Sequence, residues 1–308
     1  MKSAIAARPD TLTIFRSRSA DYLELIRPRI ASMVLFTVAA GFCLAEARTP
    51  DLARLLHTAF GTALVVAGAT ALNQVLERNS DALMERTRQR PLPSGRLQRG
   101  EVFLFGAILA LSGLLYLEFA VRQRLVVLEA GFAFGSYLFV YTPLKRKTTL
   151  NTLVGAIPGA LPPVIGWTAA TNSVEPGAAV LFAILFLWQV PHFLAIAWIH
   201  REDYARAGLC MLPVLDPSGV RTARHMVAYC LALFLVSVIP SALGWAGGVY
   251  LLGAAILGIW FVTCAIGFLL IRSVTRARRV LRASLVYLPA LLTLLIVEAV
   301  FKNWAGSR

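Results

Sequence analysis

The sequence predicts an all-α protein built into a membrane: a polytopic bundle of nine transmembrane helices around a central cavity open to the cytoplasmic face. Three observations predict it. The 308 residues are 58% hydrophobic and only 15% charged, with a mean hydropathy of +0.69, whereas soluble domains carry about 25% charged residues. Nine separate stretches are long and apolar enough to cross a hydrocarbon core that takes roughly 20 helical residues. The basic residues alternate between poor and rich segments along the chain, as the positive-inside rule requires.

Taken in order, residues 1–29 form a polar leader, read as a flexible cytoplasmic segment. Its Ser/Arg-rich, acid-poor composition is shared with organelle-transit segments, and no small-residue cleavage site follows the first apolar run. The transmembrane domain is expected over residues 30–301, with a short tail over 302–308. The first span runs from Ile30 to Ala47. The second, His57 to Leu76, carries Asn73 and Gln74 inside its apolar run, and intramembrane polar groups normally face a bundle interior or a cavity. Spans three and four are Val102 to Val121 and Leu125 to Leu144. Span five, Thr152 to Thr171, contains Gly155, Pro158, Gly159, Pro162, Pro163 and Gly166, so a broken or closely packed helix is expected there. Span six, Ala178 to His200, includes Trp188-Gln189-Val190-Pro191-His192-Phe193. The last three are His225 to Leu243, Val249 to Ile271 and Ala283 to Phe301.

The net charge of +14 would suggest nucleic acid in a soluble chain. Sorted by segment it becomes a topology signal instead. With the amino terminus inside, the leader and the loop after span two hold six Lys+Arg each, and the later inside loops hold three, four and five. That places 24 basic residues inside against six outside, which predicts an N-in, C-out arrangement and no nucleic-acid partner. The four cysteines, Cys43, Cys210, Cys230 and Cys264, include no CxxC pair, which excludes a disulfide scaffold and a structural zinc site.

Topology does not account for the whole segment from Glu77 to Glu101. On a helix continuing out of span two, Asn73, Glu77 and Asp81 fall on one face within about 12 Å of axis. Carboxylates at i,i+4 repel unless a cation sits between them, and oxygen-only ligands suit Mg2+, which completes its shell with water and substrate phosphates. Arg86, Arg88, Arg90 and Arg96 follow, and planar guanidinium forks suit phosphate oxygens. A second acidic and basic group lies beyond span six, in His200-Arg201-Glu202-Asp203-Tyr204-Ala205-Arg206-Ala207-Gly208. Two such loops four spans apart are what an internal repeat around a central site produces. The exit of span four, Tyr141-Thr142-Pro143-Leu144-Lys145-Arg146-Lys147, adds cations on the same side. A diphosphate held between metal and arginines at the membrane face is the chemistry these residues fit.

The Asn73, Glu77, Asp81 pattern resembles the span-two motif of the UbiA superfamily of intramembrane prenyltransferases. The run Met84-Glu85-Arg86-Thr87-Arg88-Gln89-Arg90-Pro91-Leu92 is similar, more narrowly, to the branch that farnesylates protoheme IX. So are Trp188-Gln189-x-Pro191-His192-Phe193 and Asp203-Tyr204-x-x-Ala207-Gly208-x-x-Met211-Leu212-Pro213-Val214, with Tyr141-x-x-x-Lys145 and Pro162-Pro163-Val164-Ile165-Gly166 also in keeping. The resemblance extends from about Leu25 to Phe301. Asn79 departs from it, standing where many members carry another aspartate, which leaves the number of bound ions open.

The resemblance implies transfer of farnesyl from farnesyl diphosphate to the 2-vinyl group of heme B, with addition of water, to give heme O for heme-copper terminal oxidases. It implies Mg2+ as cofactor, membrane lipid as surroundings, a bacterial inner membrane as location and a downstream heme-modifying oxidase as a partner. On this reading Asn73, Glu77, Asp81 and Asp203 are catalytic, with Glu77, Asp81 and Asp203 as metal ligands and Glu202 nearby. Arg86, Arg90, Lys145 and Tyr141 bind diphosphate. His192 lies 11 positions before Asp203, about 16 Å along a helix, too far to share one small ion but suited to ligating or orienting heme iron, the alternative being a hydrogen bond across helices near Pro191. Arg88, Arg96, Arg146 and Lys147 are explained by topology alone, and His57, His200 and His225 by positions at span ends. Competing readings are a related prenyltransferase with an aromatic or chlorin acceptor, which would not need His192, and a transporter. A transporter places its essential charges near the bilayer centre, whereas the acids here gather at one face.

Overall fold

Helix formation is dictated by the environment: in hydrocarbon every backbone N–H and C=O must be satisfied within its own segment. The computed structural model describes residues 11–46 and 49–305. In chain order it contains α1 (Thr11–Ile26), α2 (Pro28–Ala45), α3 (Leu52–Leu83), α4 (Arg99–Tyr116) with a π-helical turn Leu117–Val121, and α5 (Arg124–Gly135) with a π-helical segment Ser136–Tyr141. There follow α6 (Thr142–Leu144), α7 (Asn151–Ala160), α8 (Pro162–Thr171), α9 (Pro176–Ile199), α10 (Arg201–Arg206), α11 (Leu212–Leu215), α12 (Val220–Ala242), α13 (Gly248–Leu270) and α14 (Val274–Ala305). Among the described residues there is no strand, and nine helical stretches are long and apolar enough to cross a membrane, matching the nine expected spans.

Several ends are set by sequence. Pro28 and Pro176 occupy first-turn positions of α2 and α9, where the missing N–H costs nothing. The Asp51 carboxylate caps α3 by accepting from Arg54 N at 3.0 Å. Span five is broken at Leu161, between α7 and α8, because Pro162 and Pro163 cannot continue the ladder of α7. It is closely packed as well. A Cβ on Gly166 would lie 1.9 Å from Val38 O, and one on Gly41 would lie 1.9 Å from Pro163 O, so α2 and α8 meet backbone to backbone and only glycine fits at either point.

Two apolar cores result. The larger joins α9, α12, α13 and α14 around residues such as Leu181, Met226, Tyr250, Phe261 and Tyr287. The smaller joins α2, α3, α5 and α8 around Phe42, Val65, Val126 and Ile165.

The structure adds two details. The first is in the leader, where residues 11–26 form α1; Arg18 and Tyr22 bond Glu101, while Arg96 pairs with Asp21 at 2.8 Å and Glu24 at 3.0 Å. Arg96 therefore has a partner, where topology alone had been its explanation. Residues 1–10 and 306–308 lie outside the described residues, as does Ala47 at the end of the first expected span. The second concerns length: α3 runs to Leu83, seven residues beyond the expected end of the apolar span two, so Glu77 and Asp81 stand on the continuing helix that their spacing predicted.

Candidate functional site

The long α3 presents Asn73, Glu77 and Asp81 one turn apart. Asn73 is buried; its Nδ2 donates to Glu77 Oε2 at 2.6 Å and its Oδ1 accepts from Thr142 Oγ1 at 2.8 Å. Neighbouring Gln74 donates to Leu25 O at 3.0 Å, fastening the α1–α2 junction to α3. Asn79 is exposed.

Glu77 and Asp81 each pair with a different basic side chain. Lys145 Nζ reaches Glu77 Oε1 at 2.6 Å, and Arg90 NH1 reaches Asp81 Oδ2 at 2.6 Å. Lys145 also lies 4.3 Å from the centre of the Tyr141 ring, so Tyr141 acts on it through its π face. The missing Cβ of Gly155 leaves the room that ring occupies. Burial works against the Lys145 ammonium, but Tyr141, Glu77 and Tyr137 around it hold its pKa above the usual lysine value.

The second acidic group joins the first. Asp203 Oδ1 accepts from Glu85 N at 3.3 Å and bonds Arg206, while its Oδ2 lies 4.0 Å from His200 Nδ1. Arg86 donates to Tyr204 OH at 3.0 Å. Met84 packs with Ala197, Ala207, Leu209 and Met211 in a small apolar cluster that glues the two loops together. The span-four exit is stitched on by backbone: Cys210 N donates to Lys145 O at 2.7 Å, and Asn151 Nδ2 to Cys210 O at 2.8 Å. Asn73, Glu77, Asp81, Arg86, Arg90, Tyr141, Lys145 and Asp203 thus gather at one end of the bundle, on the end of α3 and the three connections beside it.

Among the described residues no three His, Cys, Asp or Glu side chains close into a metal cage. The carboxylates nonetheless fit the ion expected of them. Mg2+ is usually held by one or two carboxylates plus substrate phosphates, and dedicated all-protein cages are not its habit.

Arg27 is a site residue that the sequence hid among leader charges. It sits at the α1–α2 junction in a left-handed conformation (φ 49°), and its guanidinium has no hydrogen-bond or ion-pair partner among the described residues. Burial, then the nearby Arg90, lowers its pKa from the usual arginine value.

His192 lies apart from this group, within α9. Its Nδ1 is 2.8 Å from Ser284 Oγ, and its ring stacks on Trp188 at 4.8 Å between centroids. Of the histidines at span ends, His57 meets Tyr116 OH at 2.7 Å, and His225 bonds Arg221 O within its own helix.

Residues 34–292 match the model of the UbiA prenyltransferase family. The chain belongs to the UbiA family. Two of its curated UbiA relatives are the protoheme IX farnesyltransferases of Solibacter usitatus and Salinibacter ruber. They are 48% and 45% identical, over 90% of this chain and 98% of each relative. Solved UbiA-type folds agree: a digeranylgeranylglyceryl phosphate synthase structure superposes with a TM-score of 0.77 at 20% identity, covering 92% of this chain and 99% of that one. A UbiA homologue from Archaeoglobus fulgidus, bound to GPP and Mg2+, gives 0.61 at 14% identity, covering 89% and 99%.

Proposed function

We propose that this UbiA-family chain transfers the farnesyl group of farnesyl diphosphate to the 2-vinyl group of heme B, with addition of water, giving heme O. The observation that carries the choice of acceptor is the likeness, over nine-tenths of the chain, to relatives named protoheme IX farnesyltransferase. The clustering of carboxylates and cations on three joined connections supports the choice of a diphosphate donor.

Glu77, Asp81 and Asp203 are the residues that would hold Mg2+, which would supply charge neutralisation to the leaving diphosphate. Arg86, Arg90 and Lys145 bind diphosphate oxygens, and the unpartnered Arg27 adds a fourth cation. Their fixed positive charge favours the state in which the carbon–oxygen bond to the farnesyl group has broken and the diphosphate carries the charge. Asn73 orients Glu77 through its 2.6 Å hydrogen bond. Tyr141 holds the Lys145 ammonium in place. The apolar spans keep water from the allylic cation until the vinyl carbon attacks, and His192 binds or orients heme deeper in the bundle. On this reading the protein sits in the bacterial inner membrane with its amino terminus and site inside and its carboxyl terminus outside, and a heme-modifying oxidase takes the product onward.

Expression in a host that lacks heme O, followed by mass spectrometry of extracted hemes, tests this. The expected result is the farnesylated heme. Unchanged heme B from correctly inserted protein, with farnesyl diphosphate in supply, overturns it.

A further inference from the structure

The geometry points to Ser284 as a positioning residue that fixes the His192 ring in one tautomer, with Nε2 bare and presented as a ligand to heme iron. This rests on the reading of His192 as a heme-binding residue and extends it to a residue on another helix.

Ser284 lies on α14, is fully buried, and meets α9 through both its carbonyl and its hydroxyl. Its carbonyl accepts from Trp188 Nε1 at 2.7 Å, and its hydroxyl meets His192 Nδ1 at 2.8 Å. The hydroxyl has one proton, which it donates to Leu281 O at 2.7 Å. Toward His192 it therefore accepts, so the imidazole proton resides on Nδ1. A neutral imidazole has only one such proton, which leaves the Nε2 lone pair uncommitted. Nε2 has no partner among the described residues, and it is absent from the sealed polar atoms that lack one, so it is not closed off from its surroundings. Trp188 supports the arrangement by stacking on the ring at an interplanar angle of 24°. The ring is thus held at its face and at one nitrogen, the state in which a histidine ligates a metal: one nitrogen donates to a fixed acceptor and the other is free.

The test is titration of heme B, without farnesyl diphosphate, into purified protein in lipid nanodiscs. Affinity and the imidazole-ligation signature are read by absorption and electron paramagnetic resonance. Removing such a supporting acceptor elsewhere costs roughly 10- to 100-fold in metal affinity, and Ser284→Ala is expected to weaken heme binding to that extent and lose the signature. Ser284→Thr, which restores the acceptor hydroxyl, is expected to recover both, whereas farnesyl diphosphate binding by Ser284→Ala stays intact as a sign of correct folding. His192→Ala separates the two claims. If His192→Ala loses the signature but Ser284→Ala keeps wild-type spectrum and affinity, the role of Ser284 is overturned and that of His192 stands. If His192→Ala itself keeps the signature, the heme reading of His192 falls and the inference with it.

Discussion

Lys145 Nζ and Glu77 Oε1 lie 2.6 Å apart and join two spans separated by 68 positions, with both side chains nearly shut off from solvent. Removing one member strands a charge. Lys145→Met or Glu77→Leu alone should therefore destabilise the protein by about 3 kcal/mol, while the double variant recovers most of that, because a matched apolar replacement of a buried pair is close to neutral. Thermal unfolding in detergent reads the stability. Turnover, followed as heme O, should be lost in all three, which separates the structural part of the pair from its chemistry.

Arg90 faces Asp81 in the same way, but its function is expected to outlive its partner. Arg90→Ala should lower kcat by roughly 100-fold, the order seen when one group stabilising developing charge is removed. Arg90→Lys should recover little, since an ammonium cannot reproduce the two-pronged geometry of a guanidinium. Single-turnover kinetics with saturating farnesyl diphosphate distinguish this loss from weaker binding.

Gly166→Ala tests the contact between α2 and α8. The new methyl would fall on Val38 O, a backbone atom that cannot swing away. A cost of about 1–3 kcal/mol or more is expected from such overpacking. A melting temperature within experimental error of wild type would disprove the close approach.

Asp216 lies between α11 and α12 and accepts from Thr222 N at 2.8 Å and Thr222 Oγ1 at 2.9 Å, with Ser218 on its other oxygen. Burial opposes its charge, but these hydrogen bonds outweigh that and hold the carboxyl below its ordinary pKa. Its stabilising contribution is therefore complete above the unfolded-chain value of about 4 and is lost as pH falls through the lower folded value. The wild-type melting temperature should drop across that acidic window more than that of Asp216→Asn, which at neutral pH should already be lower.

Orientation is checked by labelling. In a background without cysteine, Ser94→Cys should react with an impermeant maleimide only from the cytoplasmic side and Val174→Cys only from the other. The opposite pattern would reverse the proposed topology.

The spans were legible because hydropathy runs survive any tertiary context, and the break at Leu161 because proline acts locally. The placing of Asn73, Glu77 and Asp81 along one helix was legible too, from their i,i+4 spacing. Their partners were not. Periodicity put Glu77 and Asp81 on one face but did not show that Glu77 turns to Lys145 and Asp81 to Arg90, a choice made by how α3 meets the span-four exit. Helix α1 was hidden for a similar reason: its ties run to Arg96 and Glu101, more than 70 positions away. Ser284 and Arg27 carried no signal of type or spacing, since one is a lone serine in an apolar run and the other a leader charge among five more.

The matched pairing of the site has a consequence for how ligands enter. Glu77, Asp81 and Asp203 each already hold a base, so arrival there is an exchange of partners and not a simple attraction. A ligand with one sign of charge satisfies half of each pair and strands the other half. A neutral combination of anion and cation releases both halves together, while Arg27 and Arg86, which pair with no carboxylate among the described residues, leave a surplus of positive charge for the anion.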